Sequence, residues 1–266
     1  MARTSKSKEV AVPSVKAVEG AIPSILAERM ARDAGKGVSK DQSDNMVPLI
    51  YILQAQSPQV MKRNPQYIQG AEAGSIWLRG VGSPVVNGEE GILFQPCFFS
   101  KDWVEWIPRD AGGGFVGRHP ILPDDAKNVG DPRNPNRLNY MRPNGNQLRE
   151  TRYHAGLVHG RGAPMPFVIP MSSSGHTTSR SWMFLMNSKQ LPNGGTAPSF
   201  AQLFRLKTKL RTNAQGEWYA WDVEDAGWVN SIKDYEMGHA LHEAFDMGNK
   251  AAEAPVHDDE GVTEEI

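Results

Sequence analysis

The residues Phe204-Arg205-Leu206-Lys207-Thr208-Lys209-Leu210-Arg211 alternate between apolar and basic, with Thr208 the one polar member of the apolar set. A β-strand sends successive side chains to opposite faces. As a strand, this segment places Phe204, Leu206, Thr208 and Leu210 on one face and Arg205, Lys207, Lys209 and Arg211 on the other. Neighbours on one face stand about 6.6 Å apart. A row of four cations at that spacing repels itself, and an extended polyanion such as a nucleic acid strand relieves it. Thr212-Asn213-Ala214-Gln215-Gly216 then has turn chemistry, because Asn and Gly tolerate positive φ. Glu217-Trp218-Tyr219-Ala220-Trp221-Asp222-Val223 follows as a second strand with three large aromatic residues. Cations that track phosphates beside rings that stack on bases are the chemistry of single-strand binding. Trp218, Tyr219 and Trp221 cannot all share one face, so either Trp218 or the Tyr219/Trp221 pair meets the ligand and the rest packs inward. The plainer alternative is a solvated basic face that guards an edge strand.

A second basic group runs from Asp131 to Arg161. It holds Arg133, Arg137, Arg142, Arg149, Arg152 and Arg161 with His154 and His159, against only Asp131 and Glu150. Guanidinium groups offer forked donors that fit phosphate, and they also stack on rings. Tyr140 and Tyr153 lie among these arginines. With so few acids nearby, phosphate contact is the stronger reading for this segment, and the Gly, Pro, Asn and Asp content of residues 110–150 marks a long irregular stretch of a kind that is usually functional or mobile.

Three other constellations carry less. His239-Ala240-Leu241-His242-Glu243 has two His three apart but no third ligand nearby, so both are expected on the exposed face of a helix and no metal site is expected. Ser172-Ser173-Ser174-Gly175-His176 places hydroxyls beside a histidine, without a nucleophile elbow or an acid partner. Helix capping is the expected role of these hydroxyls. Gly112-Gly113-Gly114 lacks the Lys-Ser/Thr of a phosphate loop. It is either a plain turn or a flexible lip that carries Arg109, Phe115 and Arg118 to a ligand.

The elements that must position these groups read as predominantly β. Ser75–Arg79, Gly91–Phe99, Lys101–Ile107 and Met165–Pro170 are short apolar runs bounded by Gly and Pro. A short helix is expected over Thr178–Lys189, with Trp182, Leu185 and Met186 at helical spacing, and an amphipathic helix over Lys233–Ala254, with Met237, Leu241 and Phe245 on one face. Residues 1–44 read as a flexible basic arm with a short helix over Ile22–Met30. Residues 45–232 read as the core, 233–254 as the helix and 255–266 as a disordered acidic tail. The chain of 266 residues carries 29 Lys and Arg against 30 Asp and Glu, so it is no bulk polycation, and any polyanion site depends on local charge segregation. Cys97 is the only cysteine, which rules out an intrachain disulfide and suits a reducing cytoplasm. The apolar runs are too short to span a bilayer, and no signal-peptide pattern follows the basic start.

These features together give an OB-fold-like barrel, with a β-sandwich as the other architecture that short strands and Gly/Pro turns allow. The layout resembles the OB-fold single-stranded DNA-binding proteins of tailed bacteriophages, in its basic and aromatic strands, C-terminal helix and acidic end at Glu264-Glu265-Ile266. Tails of that family commonly finish on an aromatic residue, and this one finishes on Ile266. The resemblance implies a non-enzymatic binder of single-stranded DNA in phage replication or recombination, without sequence specificity and without a cofactor. It also implies the host cytoplasm, replication or recombination partners met through the tail, and self-association. The rival expectation is a phage virion or assembly protein, and a hydrolase built on His176 or the His239/His242 pair ranks last. If Arg205, Lys207, Lys209 and Arg211 each neutralise one phosphate, log K should fall with log salt at a slope of roughly −2.8.

Overall fold

A computed structural model describes residues 26, 29–30, 32, 47–80, 84–130, 138–160, 162–214 and 216–246. The chain divides into two compact units, Met1–Asp41 and Gln42–Ile266. In the first, Leu26, Arg29, Met30 and Arg32 are helical and exposed, in keeping with the helix expected there. The rest of the basic arm, the acidic tail, Arg133 and Arg137 lie outside the described residues.

The second unit is mainly β, an OB-like half-barrel with two α-helices among the described residues. Its strands are β1 (Leu49–Ile52), β2 (Ile76–Arg79), β3 (Val85–Val86), β4 (Ile92–Trp106), β5 (Phe115–His119), β6 (Lys127–Asn128) and β7 (Tyr140–Met141). After them come β8 (Gln147–His159), β9 (Met165–Ser172), helix α1 (Gly175–Ser188), β10 (Gln202–Asn213), β11 (Gly216–Trp228) and helix α2 (Ile232–Asp246). All join one sheet in the order β11-β10-β4-β8-β9-β1-β2-β3, with β5 paired to β4, β7 to β8 and β6 to β7. Among the described residues the sheet therefore has eleven strands, where the simplest barrel of this kind has five. It curls so far that the Gln54 side chain, just past β1, reaches the terminal strand β11. There Gln54 Nε2 donates to the Tyr219 carbonyl and the Tyr219 N–H donates to Gln54 Oε1, both at 2.9 Å. Thr208 Oγ1 adds a bond of 2.6 Å to the Gly74 carbonyl across the same seam.

β4 corrects the sequence reading most. Pro96 and the polar run after Phe99 suggest two strands, yet residues 92–106 form one. Pro96 pairs with Gly156 and Phe98 with Ala155, so Cys97 is the extra residue of a β-bulge. The bulge tolerates the missing proline donor. Gly156 is needed opposite it, because a Cβ there would collide with the Gln95 carbonyl and the Phe94 ring. The supposed loop of residues 110–150 likewise holds β5, β6, β7 and the start of β8. Its glycines and prolines mark the turns between short strands.

The inner face of the sheet packs on α1. Trp182 and Met186, one helical turn apart, are buried against Phe94, Ile50, Ile76, Ile169, Met171, Phe204, Leu206 and Trp221. The outer face packs on α2, where Phe245 joins Leu49, Val104, Tyr153, Ala155 and Val168. Met237 and Leu241 lie over Cys97, Leu157 and Phe200, so the apolar stripe expected on this helix is the one that docks. Gly238 lets α2 approach, since a Cβ there would collide with the Gln95 amide. That amide donates to the carbonyls of Phe200 (2.7 Å) and Asp234 (3.0 Å), and its oxygen meets His159 Nε2 at 2.8 Å. Among the described residues no helix is long and apolar enough to cross a membrane.

Candidate nucleic-acid interface

The alternation of residues 204–211 becomes β10, and the turn expected after it brings back β11 with Asn213 opposite Gly216. That register assigns every face. Arg205 stands opposite Glu224, Lys207 opposite Asp222, Lys209 opposite Ala220 and Arg211 opposite Trp218. Directly opposed residues share a face, so the four cations, Trp218 and the two acids line the outer side of the hairpin. Trp221 faces inward and is core, and Tyr219, opposite Leu210, also faces inward with its ring seated on Gly74. Of the three aromatic candidates only Trp218 accompanies the cations.

The hairpin differs from root to tip. β10 pairs with β4 only from Phe204 to Leu206, so from Lys209 onward its strand partner among the described residues is β11 alone. At the root the cations already have partners. Lys207 Nζ lies 2.8 Å from Glu224 Oε2, and Arg205 Nη1 donates to the Glu90 carbonyl at 3.4 Å. At the tip Lys209, Arg211, Thr212 and Asn213 are exposed, and among the described residues neither Lys209 nor Arg211 forms an ion pair. Trp218 is half-buried, and its Nε1 has no hydrogen-bond partner among the described residues. The tip thus offers two charges and one ring on one open face.

The described members of the second basic group do not converge on the first. Arg149 pairs in register with Val104, ten residues along β4 from Phe94, where β10 attaches. At about 3.3 Å per residue this is roughly 30 Å along the strand. Arg149 and Arg152 lie on β8 and not on a loop, and Arg152 Nε bonds Glu150 Oε1 at 2.9 Å while Arg149 Nη2 reaches Gln147 Oε1 at 3.3 Å. Arg142 is held by acids distant in sequence, with Nη1 at 3.1 Å from Glu105 Oε2 and Nε at 2.8 Å from Asp125 Oδ1. Tyr153 is buried under the Arg118 guanidinium, 4.3 Å from the ring centroid, and Arg118 Nη2 bonds Asp102 at 2.5 Å. Phe115 packs on Trp106, so the triglycine segment is a turn between β4 and β5, with no lip built from Phe115 and Arg118.

Glu105 is the residue that sequence reading passes over. Its buried carboxylate accepts from Asn146 Nδ2 (2.7 Å) and Arg142 Nη1 (3.1 Å) and meets His119 Nε2 at 2.7 Å, which ties β4 to β5 and to the β7–β8 turn. Burial alone would push this carboxyl up, but the Asn146 and His119 bonds and the Arg142 charge outweigh it and hold it below its usual value. An acid set between Val104 and Trp106 was the available signal. The histidine constellations dissolve into packing. His242 Nδ1 bonds the Cys97 carbonyl at 2.9 Å and its ring lies against Phe98 and Phe200, so it is not on the exposed side of α2, whereas His239 is. No cluster of metal-ligating side chains forms among the described residues. His176 Nε2 meets the Glu150 carbonyl at 2.8 Å, with burial lowering its pKa, and Ser174 at the N-cap makes no side-chain capping bond.

No curated protein and no solved structure matches this chain. A family model does: the chain belongs to the Pam3 phage gp34-like protein family, whose model matches residues 16–251.

Proposed function

We propose that this phage-family protein binds single-stranded DNA, without sequence preference, in replication or recombination of the phage genome. The observation that carries the reading is the outer face of the β10–β11 tip, where Lys209 and Arg211 are exposed and the half-buried Trp218 stands opposite Arg211. Two cations on one strand suit successive phosphates of an extended chain, and a ring across from Arg211 suits the base between them. A duplex keeps its bases stacked on one another and offers Trp218 nothing to stack on, so discrimination for single strands comes from the ring. Neither kind of contact reads base identity, because phosphates are common to every nucleotide and every base has a π-face. The family match supports the phage setting.

The test is titration of the full chain with oligo-dT while following tryptophan fluorescence, with duplex DNA and oligo-U in parallel. Quenching that weakens with salt, is weaker on duplex, and is lost in Lys209→Ala/Arg211→Ala supports the proposal. Absence of quenching and of binding at low salt would end it.

A further inference from the structure

The cation row looks continuous in sequence, but the fold divides it. β11 lays Asp222 and Glu224 opposite Lys207 and Arg205, and lays Ala220 and Trp218 opposite Lys209 and Arg211. The outer face therefore reads, from root to tip, as two opposed charge pairs, then a lysine beside a methyl group, then an arginine beside an indole. The Lys207–Glu224 pair is formed, at 2.8 Å, with side chains 30% and 48% exposed. At that exposure an ion pair is weak and its cation is easily drawn away. The carboxylates themselves remain, and they repel any phosphate that approaches within a Debye length.

From this, and on the reading that the tip binds single strands, we infer that the site takes only a short segment: two phosphates and one stacked base. Asp222 and Glu224 close its inner end. The occupant is a short exposed single-stranded stretch, and a long strand would leave the hairpin after the tip without running down to the root. The acids act as a stop that sets how many phosphates the hairpin engages.

Counting cations turns this into a slope. Two phosphates neutralised by Lys209 and Arg211 give a salt slope for the hairpin of about −1.4, and all four cations give about −2.8. Between 50 and 200 mM salt the first corresponds to roughly a sevenfold loss of affinity and the second to roughly fiftyfold. Binding of the full chain to dT8 is to be measured across that range for the wild type, Glu224→Gln, and Asp222→Asn/Glu224→Gln. Glu236→Gln/Asp246→Asn on the exposed surface of α2 makes the same change in net charge away from the hairpin. The expected result is a slope steeper by about 1.4 in the hairpin double variant, an intermediate slope in Glu224→Gln, and the wild-type slope in the α2 control. Equal slopes in the wild type and the hairpin double variant, with binding intact, would overturn the stop while leaving single-strand binding standing. An equal steepening in the α2 control would also overturn it, since net charge alone would then explain the effect. If the wild type fails to bind dT8 at all, the reading it rests on falls and the inference falls with it.

Discussion

Lowering the pH from 6.5 to 5 should weaken the fold mainly through His154. This ring is fully buried on β8, stacked 4.4 Å from Trp182 at 20° between planes, with Nε2 bonded to Ser179 Oγ at 2.9 Å. Burial, helped by the nearby Arg152 charge, pulls its pKa from 6.5 down to about 3. In the unfolded chain the same ring takes up a proton below 6.5. The neutral form that the native state requires is therefore present without cost above pH 6.5 and becomes steadily harder to keep as the pH falls towards 3. The loss approaches about 1.4 kcal/mol per pH unit for one such group, and since the unfolded ring is already half protonated at pH 6.5 it comes to about 1.6 kcal/mol between pH 6.5 and 5. With a urea dependence of about 2–3 kcal/mol per molar, the unfolding midpoint moves down by roughly 0.5–0.8 M. Glu105 and Asp225, whose pKa values are also lowered, lose their contribution only below the ordinary carboxylate range, outside this window. His159 and His176 shift in the same direction as His154 and form a background shared by any variant. Urea unfolding of the wild type and His154→Gln at pH 6.5, 5.75 and 5 isolates the term. Glutamine keeps a partner for Ser179 and does not titrate, so its line against pH should be flatter by about 1 kcal/mol per unit or more. Parallel lines for the two proteins would refute the assignment, whatever their absolute stabilities.

Trp218→Ala should weaken oligo-dT binding by about 1–3 kcal/mol with little change in unfolding midpoint, whereas Trp221→Ala should cost about 3–5 kcal/mol of stability, both read by paired titration and urea melts. Glu105→Gln should cost about 1–3 kcal/mol in urea unfolding, because His119 and Arg142 lose their shared anion; an unchanged midpoint would show the cluster to be ornamental. Gly238→Ala should lower stability by about 1–3 kcal/mol through its clash with the Gln95 amide, and Gln95→Ala in the same background should relieve part of that loss.

How much of this was legible beforehand depends on the range over which each signal acts. The β10 alternation and the turn before Gly216 are local, and the hairpin formed where they place it. Which of Trp218 and the Tyr219/Trp221 pair shares the cations' face was not legible, because a one-residue change in the turn exchanges the two faces; Asn213 opposite Gly216 puts Trp218 there. Pro96 hid the continuity of β4, since a bulge is stabilised by its neighbours, here Gly156, and not by its own residues. The partners of the arginine-rich segment were hidden for a related reason. Counting acids inside residues 131–161 finds only Asp131 and Glu150, while Arg142 takes Asp125 before that segment and Glu105, 37 positions away. Asp222 and Glu224 were visible in the second strand, but only the register shows which cations they face.

The seam made by Gln54 bears on what happens when copies of this chain crowd together. A terminal strand ordinarily presents a row of open N–H and C=O groups, a template on which another molecule's strand can grow. On β11 the Tyr219 groups are taken by the Gln54 amide, and the Trp221 carbonyl is met by Thr178 Oγ1 at 3.4 Å. Further along, Lys189 bonds Asp225 and the Gly227 carbonyl. Side chains from three places in the chain thus stand where a neighbour's backbone would dock, and molecules packed side by side meet a rim already occupied.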